Sequence, residues 1–296
     1  MTSLAQNISP LLPVADFEVF ADGLDHPEGL AFDREGNLWC GGELGQIYRI
    51  DQHGQVSEIA NLGGFSLGLT FSPAEHLYVC NFKLHCLITL DRSGRVLSSL
   101  DRVGDRKLVT PNFSVFTREG DLYFSDSGDW DNNNGCIYRL RKSGHAEWFA
   151  GPFDFPNGLA LSADERSLFV AQSQQDNVLC IPILPDGAAG APELYAAGLA
   201  RVPDGLALDA LGNLYVMCYA SDCIYRVSPQ RQIEVLAYDP TGTRISRPTN
   251  AAFGGPNSQD LFVAHLGRWH ISRIHLGIEG QPLANMQNES NQAGAK

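Results

Sequence analysis

Four side chains with oxygen donors occupy the same position in copies of one short motif. In chain order they are Glu28, Asn112, Asn157 and Asp204, and each directly follows a proline. Two weaker copies of the motif carry Leu67 and Thr249 at that position. These six positions together form what we term the ring column. Two carboxylates and two amide carbonyls are hard oxygen ligands, so the ring column predicts a site for one divalent cation.

The types of these donors favour calcium, which accepts many oxygen ligands in irregular geometry. Zinc normally takes His or Cys ligands, and the ring column contains neither, although zinc, manganese and magnesium stay open as alternatives. A single Pro-Asn-Gly or Pro-Asp-Gly tripeptide indicates no more than a turn. Four oxygen donors at equivalent positions favour the cation, which could polarise a carbonyl group or bind water.

The repeat that carries the ring column also predicts the fold. Its copies recur roughly every forty to fifty residues, and short strands rich in β-branched and aromatic residues follow each copy. The motif spans residues 26–32, 65–71, 110–116, 155–161, 202–208 and 247–253. Four strands in such a repeat are typical of a propeller blade, so the sequence predicts an all-β, six-bladed β-propeller with four antiparallel strands per blade. Equivalent positions of the blades then surround one central channel.

The two ends of the chain predict how the ring closes. The sixth repeat has three clear strands, and a matching fourth strand occurs near the N-terminus at residues 17–21. If this strand completes the last blade, residues 1–296 form a single domain, with a core of about residues 16–276 and a loose C-terminal tail from about Gln281. A closed ring exposes no sheet edge, which favours a monomer and leaves a weak dimer open.

Composition narrows the classes of partner and the location. The net charge of −13 argues against nucleic acid and against an anionic membrane, because both are bound by clustered Lys and Arg. The seven Cys form no CxxC pair, and several lie in apolar strands, which predicts buried, reduced thiols. No apolar run reaches membrane-spanning length and the first residues do not resemble a signal peptide, so we expect a cytoplasmic protein.

A second set of residues, many of them polar, ends the second predicted strand of each blade. Asp126 and His265 belong to it, and either could carry protons or support the cation, although polar residues at strand ends more often serve structure alone. Aromatic residues on the loops at the same mouth of the channel could line a substrate pocket. The predicted pocket therefore comprises Phe65, Phe113, Asp126, Trp130, Tyr219 and His265.

The ordered series of motifs resembles the senescence marker protein/gluconolactonase-like family, which includes regucalcin and bacterial sugar and drug-responsive lactonases. The resemblance covers roughly residues 16–276 and rests on residues 27–29, 110–112, 122–126, 155–162, 202–205 and 248–255. It implies a six-bladed propeller with a divalent metal in its channel, held by Glu28, Asn157 and Asp204, with Asn112 as a looser fourth ligand. It also implies a metal-dependent hydrolase that opens a small lactone or ester, with Asp204 as the general base.

Two departures from the family pattern concern the substrate. Phe113 follows Asn112 where sugar lactonases of the family often have Asp, and Thr110 stands where they commonly have a sugar-binding Arg. The metal set is therefore better supported than a sugar substrate, and the apolar Phe113 points to a less polar lactone or ester, or to a natural-product substrate. Two other functions stay open: a phosphotriesterase-like hydrolase similar to diisopropyl fluorophosphatase, and a non-catalytic calcium-binding propeller.

Overall fold

The computed structural model describes residues 9–286 and is built from six four-stranded antiparallel sheets. The first strand along the chain is β1 (Glu18–Ala21). Blade 1 contains β2 (Leu30–Phe32), β3 (Leu38–Gly41), β4 (Gln46–Ile50) and β5 (Val56–Asn61). Blade 2 contains β6 (Ser66–Phe71), β7 (Leu77–Asn81), β8 (Cys86–Leu90) and β9 (Val96–Leu100). A short ribbon of β10 (Arg102–Val103) and β11 (Arg106–Lys107) leads to blade 3.

The remaining blades follow the same order. Blade 3 contains β12 (Pro111–Phe116), β13 (Leu122–Asp126), β14 (Gly135–Leu140) and β15 (Ala146–Phe153). Blade 4 contains β16 (Pro156–Leu161), β17 (Ser167–Gln172), β18 (Asn177–Pro182) and β19 (Glu193–Ala197). Blade 5 contains β20 (Pro203–Leu208), β21 (Leu214–Cys218), β22 (Cys223–Val227) and β23 (Ile233–Tyr238). Blade 6 contains β24 (Pro248–Gly254), β25 (Asp260–His265) and β26 (His270–His275). Short 3₁₀ turns occur at Val14–Asp16, Tyr219–Ser221, Pro256–Ser258 and Ala284–Met286.

The predicted closure of the ring is confirmed. Strand β1 pairs antiparallel with β26, with Glu18 opposite Arg273, and so supplies the fourth strand of blade 6. The six-bladed propeller predicted from the repeat is likewise confirmed. Strand β1 covers an edge of blade 6 that would otherwise expose unpaired backbone groups.

The hydrophobic core lies between the blades, because neighbouring sheets pack face to face. The second and third strands are covered on both faces, and every residue of β8 is buried. The outermost strands are more polar, and β9 is largely exposed. All seven cysteines fall within the described residues and are free thiols, six of them buried. Within residues 9–286 no helix is long and apolar enough to cross a membrane.

The chain after blade 6 crosses the end of the channel that lies opposite the ring column. The Gln281 amide donates to the Leu161 carbonyl at 2.8 Å, and the Asn285 amide donates to the Phe32 carbonyl at 2.9 Å. A cavity of about 110 Å³ lies beneath this segment, lined by the far ends of the innermost strands of all six blades. Residues 281–286 therefore differ from the loose tail expected from about Gln281, because two of their side-chain amides satisfy carbonyl groups at the ends of these strands. The rest of the expected tail, residues 287–296, lies outside the described residues.

Candidate metal centre at the channel mouth

The ring column is positioned by the same irregularity in five blades. In blade 3, Pro111 lies opposite Asp126 and Ser114 lies opposite Phe124, so the register shifts between these pairs. Strands β6, β16, β20 and β24 show the corresponding shift. A bulge re-aims the side chains it contains, and bulges are common beside active sites. The ring-column residues that lie inside the bulges are Leu67, Asn112, Asn157, Asp204 and Thr249.

Backbone and side-chain contacts connect the ring-column segments of neighbouring blades. The Gly29 N–H donates to the Leu67 carbonyl at 3.1 Å. The Ser125 hydroxyl of blade 3 donates to the Asn157 carbonyl of blade 4 at 2.8 Å. These contacts hold the starts of the innermost strands close together around the channel.

Glycines after ring-column residues allow the closest approaches. A Cβ atom at Gly158 would lie 2.3 Å from the Asp204 carbonyl oxygen, and one at Gly205 would lie 2.5 Å from the Thr249 carbonyl oxygen. Any larger residue at either position would therefore push two blades apart. The Thr249 hydroxyl then closes the circle, because it donates to the Glu28 carbonyl at 3.3 Å.

Two serine residues orient the two ring-column asparagines. Asn112 donates its Nδ2 to the Ser127 hydroxyl at 3.0 Å, and that hydroxyl donates to the Pro156 carbonyl of the next blade at 2.7 Å. Blade 4 repeats the arrangement with Asn157, Ser173 and the next proline carbonyl, at 3.2 and 2.7 Å. Each amide nitrogen is thereby turned to a serine. Sequence reasoning missed both serines, although their equivalent positions in two repeats were a usable signal.

The two ring-column carboxylates influence one another. Burial raises the pKa of Glu28 to about 7, against a smaller lowering by the Thr249 hydroxyl. Burial also raises the pKa of Asp204 well above its usual range, and the negative charge of Glu28 raises it further, whereas the Asn157 amide lowers it. Residues from blades 1, 4 and 5 are therefore close enough to interact.

Three ring-column side chains carry oxygen atoms that lack a hydrogen-bond partner in the described part of the chain. They are the Oε2 atom of Glu28, the Oδ1 atom of Asn157 and the Oδ1 atom of Asp204, and all three are buried. Buried polar atoms are nearly always paired in folded proteins, so each unpaired one requires a reason. A divalent cation that takes oxygen ligands fits this donor set, since it would satisfy all three atoms and offset both carboxylate charges.

The backbone just before the ring column adopts the left-handed region at four residues other than glycine. Each of these residues precedes a proline and lies two positions before the ring column. Their φ angles are 43° at His26, 52° at Phe155, 64° at Val202 and 50° at Arg247. Such residues cost about 1–3 kcal/mol each and concentrate at functional sites. These four strained residues therefore lie directly beside the ring column.

Asp126 and His265 lie at the mouth, where both make contacts to loops. The Asp126 carboxylate accepts backbone N–H groups of Val109 at 2.9 Å and Thr110 at 2.6 Å. The His265 ring contacts the Ser272 hydroxyl at 2.7 Å and accepts the Ser246 N–H at 3.3 Å. Burial, followed by the neighbouring His270, lowers the pKa of His265, so this ring is neutral at neutral pH. These contacts support the loops around the mouth.

The predicted aromatic pocket is only partly assembled at the mouth. Exposed Trp130 packs edge to face on Phe155, with ring centroids 4.7 Å apart. Half-buried Tyr219 accepts a hydrogen bond from the Arg247 guanidinium at 3.3 Å. Half-buried Phe65 precedes β6 at the same mouth, where its carbonyl accepts the N–H of Phe82.

Phe113 occupies a different place from the mouth loop expected for it. It lies within β12, is buried, and packs in the cluster that contains Tyr123 and Leu159. The bulge at Asn112 separates the two environments, because it aims Asn112 at the channel while the next residue joins the space between blades. The apolar side chain of Phe113 is therefore weaker evidence for a less polar substrate than the sequence alone indicates.

A second group of ligand-type atoms lies on the rim of the same mouth. The His26 Nδ1 atom is 2.7 Å from an Asp25 carboxylate oxygen and 3.1 Å from a Glu43 carboxylate oxygen. The His26 ring also packs against Trp269, with centroids 4.5 Å apart. All three ligand-type side chains are partly exposed and pair with one another, in contrast to the unpartnered oxygens of the ring column.

Comparison with known proteins identifies families and relatives that this chain resembles. Residues 45–266 match the family described as SMP-30/Gluconolactonase/LRE-like region, and residues 15–50 match the strictosidine synthase-like N-terminal family. The gluconolactonase of Zymomonas mobilis is 26% identical over 220 residues, which cover 67% of this chain and 60% of that protein. The pentonolactonase of Haloferax volcanii is 24% identical over 204 residues, which cover 61% of this chain and 66% of that protein. The chain thus spans less than two thirds of the length of these relatives.

A solved structure shows the same fold. The crystal structure of regucalcin from Agrobacterium tumefaciens, described as a calcium-binding protein, superimposes with a TM-score of 0.75. It is 18% identical in sequence, and the match covers 93% of this chain and 97% of that one. This agreement concerns the arrangement of the blades.

Proposed function

The chain belongs to the SMP-30/gluconolactonase/LRE-like family, and on that premise we propose that it is a metal-dependent hydrolase that opens a small lactone or ester. The observation that carries this proposal is the set of unpartnered, buried oxygens that Glu28, Asn157 and Asp204 present at one end of the channel. The two relatives named as lactonases support a lactone as the substrate.

The proposed ligands are Glu28, Asn157 and Asp204, with Asn112 as a looser fourth. Calcium is the proposed ion because carboxylate and amide oxygens are its preferred ligands, and a structural neighbour described as calcium-binding agrees with this choice. When bound, the cation would polarise the substrate carbonyl and balance the charges of the two buried carboxylates. Ser127 and Ser173 hold the asparagine amides in the orientation that this role requires.

Asp204 is the proposed general base. Its carboxylate takes a proton from water as the water oxygen forms a bond to the carbonyl carbon of the lactone. The carbon–oxygen bond of the ring then breaks, and the proton passes from Asp204 to the departing oxygen. The product is an open-chain hydroxy acid. For an ester, the same steps release an alcohol and an acid.

The test is a panel of lactones and esters, assayed after chelation and again after calcium, zinc, manganese or magnesium is restored. We expect chelation to abolish turnover and calcium to restore it best. Asp204→Asn should lose at least 100-fold in kcat, the lower range for a general base. Asp186→Asn is the matched control, because Asp186 is exposed on an outer turn of blade 4. Turnover that is indifferent to chelation would overturn the proposal.

Two other outcomes separate the alternative functions. Calcium binding by calorimetry without turnover of any lactone or ester would identify a binding propeller instead of an enzyme. Turnover of phosphotriesters in preference to every lactone would identify the phosphotriesterase-like reaction. For either hydrolase, Asp204→Asn distinguishes loss of chemistry from loss of the ion, provided that calcium binding to the variant is measured alongside. A binding propeller has no turnover to lose.

A further inference from the structure

Blade 2 is the one blade whose ring-column residue is apolar. Leu67 lies between the segments of Glu28 and Asn112, since the Gly29 N–H donates to its carbonyl and Gly68 abuts the Asn112 carbonyl. Three other apolar residues of the same blade lie at this mouth: Phe65 directly before β6, and Phe82 and Leu84 on the turn between β7 and β8. The blade-2 wall is defined here as Phe65, Leu67, Phe82 and Leu84.

Hydrogen bonds hold the two loops of this wall together. Buried Asn81 donates its amide to the Gly63 carbonyl at 2.8 Å and accepts the Leu84 N–H at 3.0 Å. The Phe82 N–H donates to the Phe65 carbonyl at 2.9 Å. The apolar side chains are thus presented by a backbone that is already ordered, which lowers the entropy cost of binding a ligand there.

The outer part of the wall is exposed although it is apolar. Phe82 is 39% exposed and Leu84 is 47% exposed. None of the four side chains of the wall can donate or accept a hydrogen bond, and the polar side chain between them, Lys83, is itself exposed. A polyhydroxylated ring placed against this wall would lose hydrogen bonds to water without replacement. An aliphatic or aryl group would instead gain from burial.

We propose that the substrate is a lactone whose ring bears an aliphatic or aryl substituent, and that this substituent packs on the blade-2 wall while the carbonyl group faces the ring-column oxygens. This inference rests on the proposed lactone hydrolysis and names the class of lactone. It places specificity in Phe82 and Leu84, on the turn between β7 and β8. Phe113, buried in the core, has no part in it.

The test compares γ-lactones with side chains of increasing length against a polyhydroxylated sugar lactone, in the calcium-loaded protein. We expect kcat/KM to rise about 4-fold for each CH₂ that the wall covers. Phe82→Ala and, separately, Leu84→Ala should lower kcat/KM for long-chain lactones by about 10-fold and for the unsubstituted lactone by less, so that the preference for long chains falls. Leu211→Ala is the matched control, because Leu211 is 67% exposed on the opposite face of the propeller.

The possible outcomes distinguish failure of this inference from failure of the proposed lactone hydrolysis. If the sugar lactone is the best substrate, or if Phe82→Ala lowers turnover of short and long lactones equally, the inference fails while lactone hydrolysis stands. If no lactone of either kind is hydrolysed, lactone hydrolysis fails and the inference falls with it. Thermal unfolding of each variant checks that the wall alone has changed.

Discussion

The buried carboxylate of Glu28 destabilises the metal-free protein at neutral and alkaline pH. Burial raises its pKa from an ordinary value of 4.5 to about 7 in the folded state. Between these values the unfolded chain releases the Glu28 proton before the folded protein does. Unfolding therefore becomes more favourable as the pH rises through this window, and the penalty is complete above about pH 7. Replacing Glu28 by the uncharged, similarly shaped Gln removes the penalty.

The size of the effect follows from the two pKa values of Glu28. Their difference corresponds to roughly 3 kcal/mol, at about 1.4 kcal/mol for each pKa unit. Glu28→Gln should therefore stabilise the metal-free protein by up to about 3 kcal/mol at pH 8 and by close to nothing at pH 4. With calcium present the order should reverse, because the variant lacks one of the two carboxylates proposed to hold the ion.

The assay is urea unfolding at pH 4, 6 and 8, in a chelator and again in excess calcium. Glu119→Gln, in an exposed turn of blade 3, is the control and should change stability little at any pH. Equal stability of Glu28→Gln and the unaltered protein in chelator at pH 8 would refute the reasoning. A gain of the same size at pH 4 and pH 8 would also refute it, since the gain would then not come from the carboxylate charge.

Three further changes test other parts of the structure. Ser173→Ala frees the Asn157 amide and should weaken calcium binding about 10-fold by titration calorimetry, with the fold retained by circular dichroism. The Asp239 carboxylate accepts the N–H groups of residues 243–245. Burial raises its pKa, but these bonds outweigh burial and hold the pKa well below the ordinary value. Asp239→Asn should therefore cost about 1–3 kcal/mol at pH 7 by urea unfolding, and the loss should shrink as the pH falls below about 4. Asn285→Ala removes the amide bonds to the Phe32 carbonyl and to the Glu75 carboxylate and should lower the unfolding free energy by about 1–3 kcal/mol, whereas no change would show that these bonds do not anchor the segment.

The sequence predicts the propeller because its information is repeated. Six copies of one motif place residues that are far apart in the chain at equivalent positions of six blades, so Glu28 and Asp204 could be assigned to one ring without coordinates. The phase of the terminal strand at residues 17–21 similarly predicts the pairing of β1 with β26. Both inferences need only the order of strands and the closure of the ring.

Features that depend on local backbone direction were beyond the sequence. The bulge at the ring column sends Asn112 and Phe113 into different environments, and the alternation of an ideal strand does not describe that change. The left-handed conformation of Phe155 and Val202 could not be predicted from the sequence either, because a residue before proline normally favours extended backbone. The packing of Asn285 under the channel depends on carbonyl groups of blade 1 that no repeat pattern connects with it.

The pairing of β1 with β26 links the first strand of the chain to the proposed cation site. Glu28 follows β1 by only a few residues, and the Thr249 hydroxyl that reaches the Glu28 carbonyl starts the blade to which β1 is attached. Detachment of Glu18–Ala21 from β26 would open the ring of blades between blades 6 and 1, next to the segment that carries the Glu28 carboxylate. An ion held as proposed by Glu28, Asn157 and Asp204 would bridge blades 1, 4 and 5 and would in turn keep β1 paired with β26. Ion binding and detachment of strand β1 are therefore linked: a bound ion makes detachment less favourable, and detachment weakens ion binding.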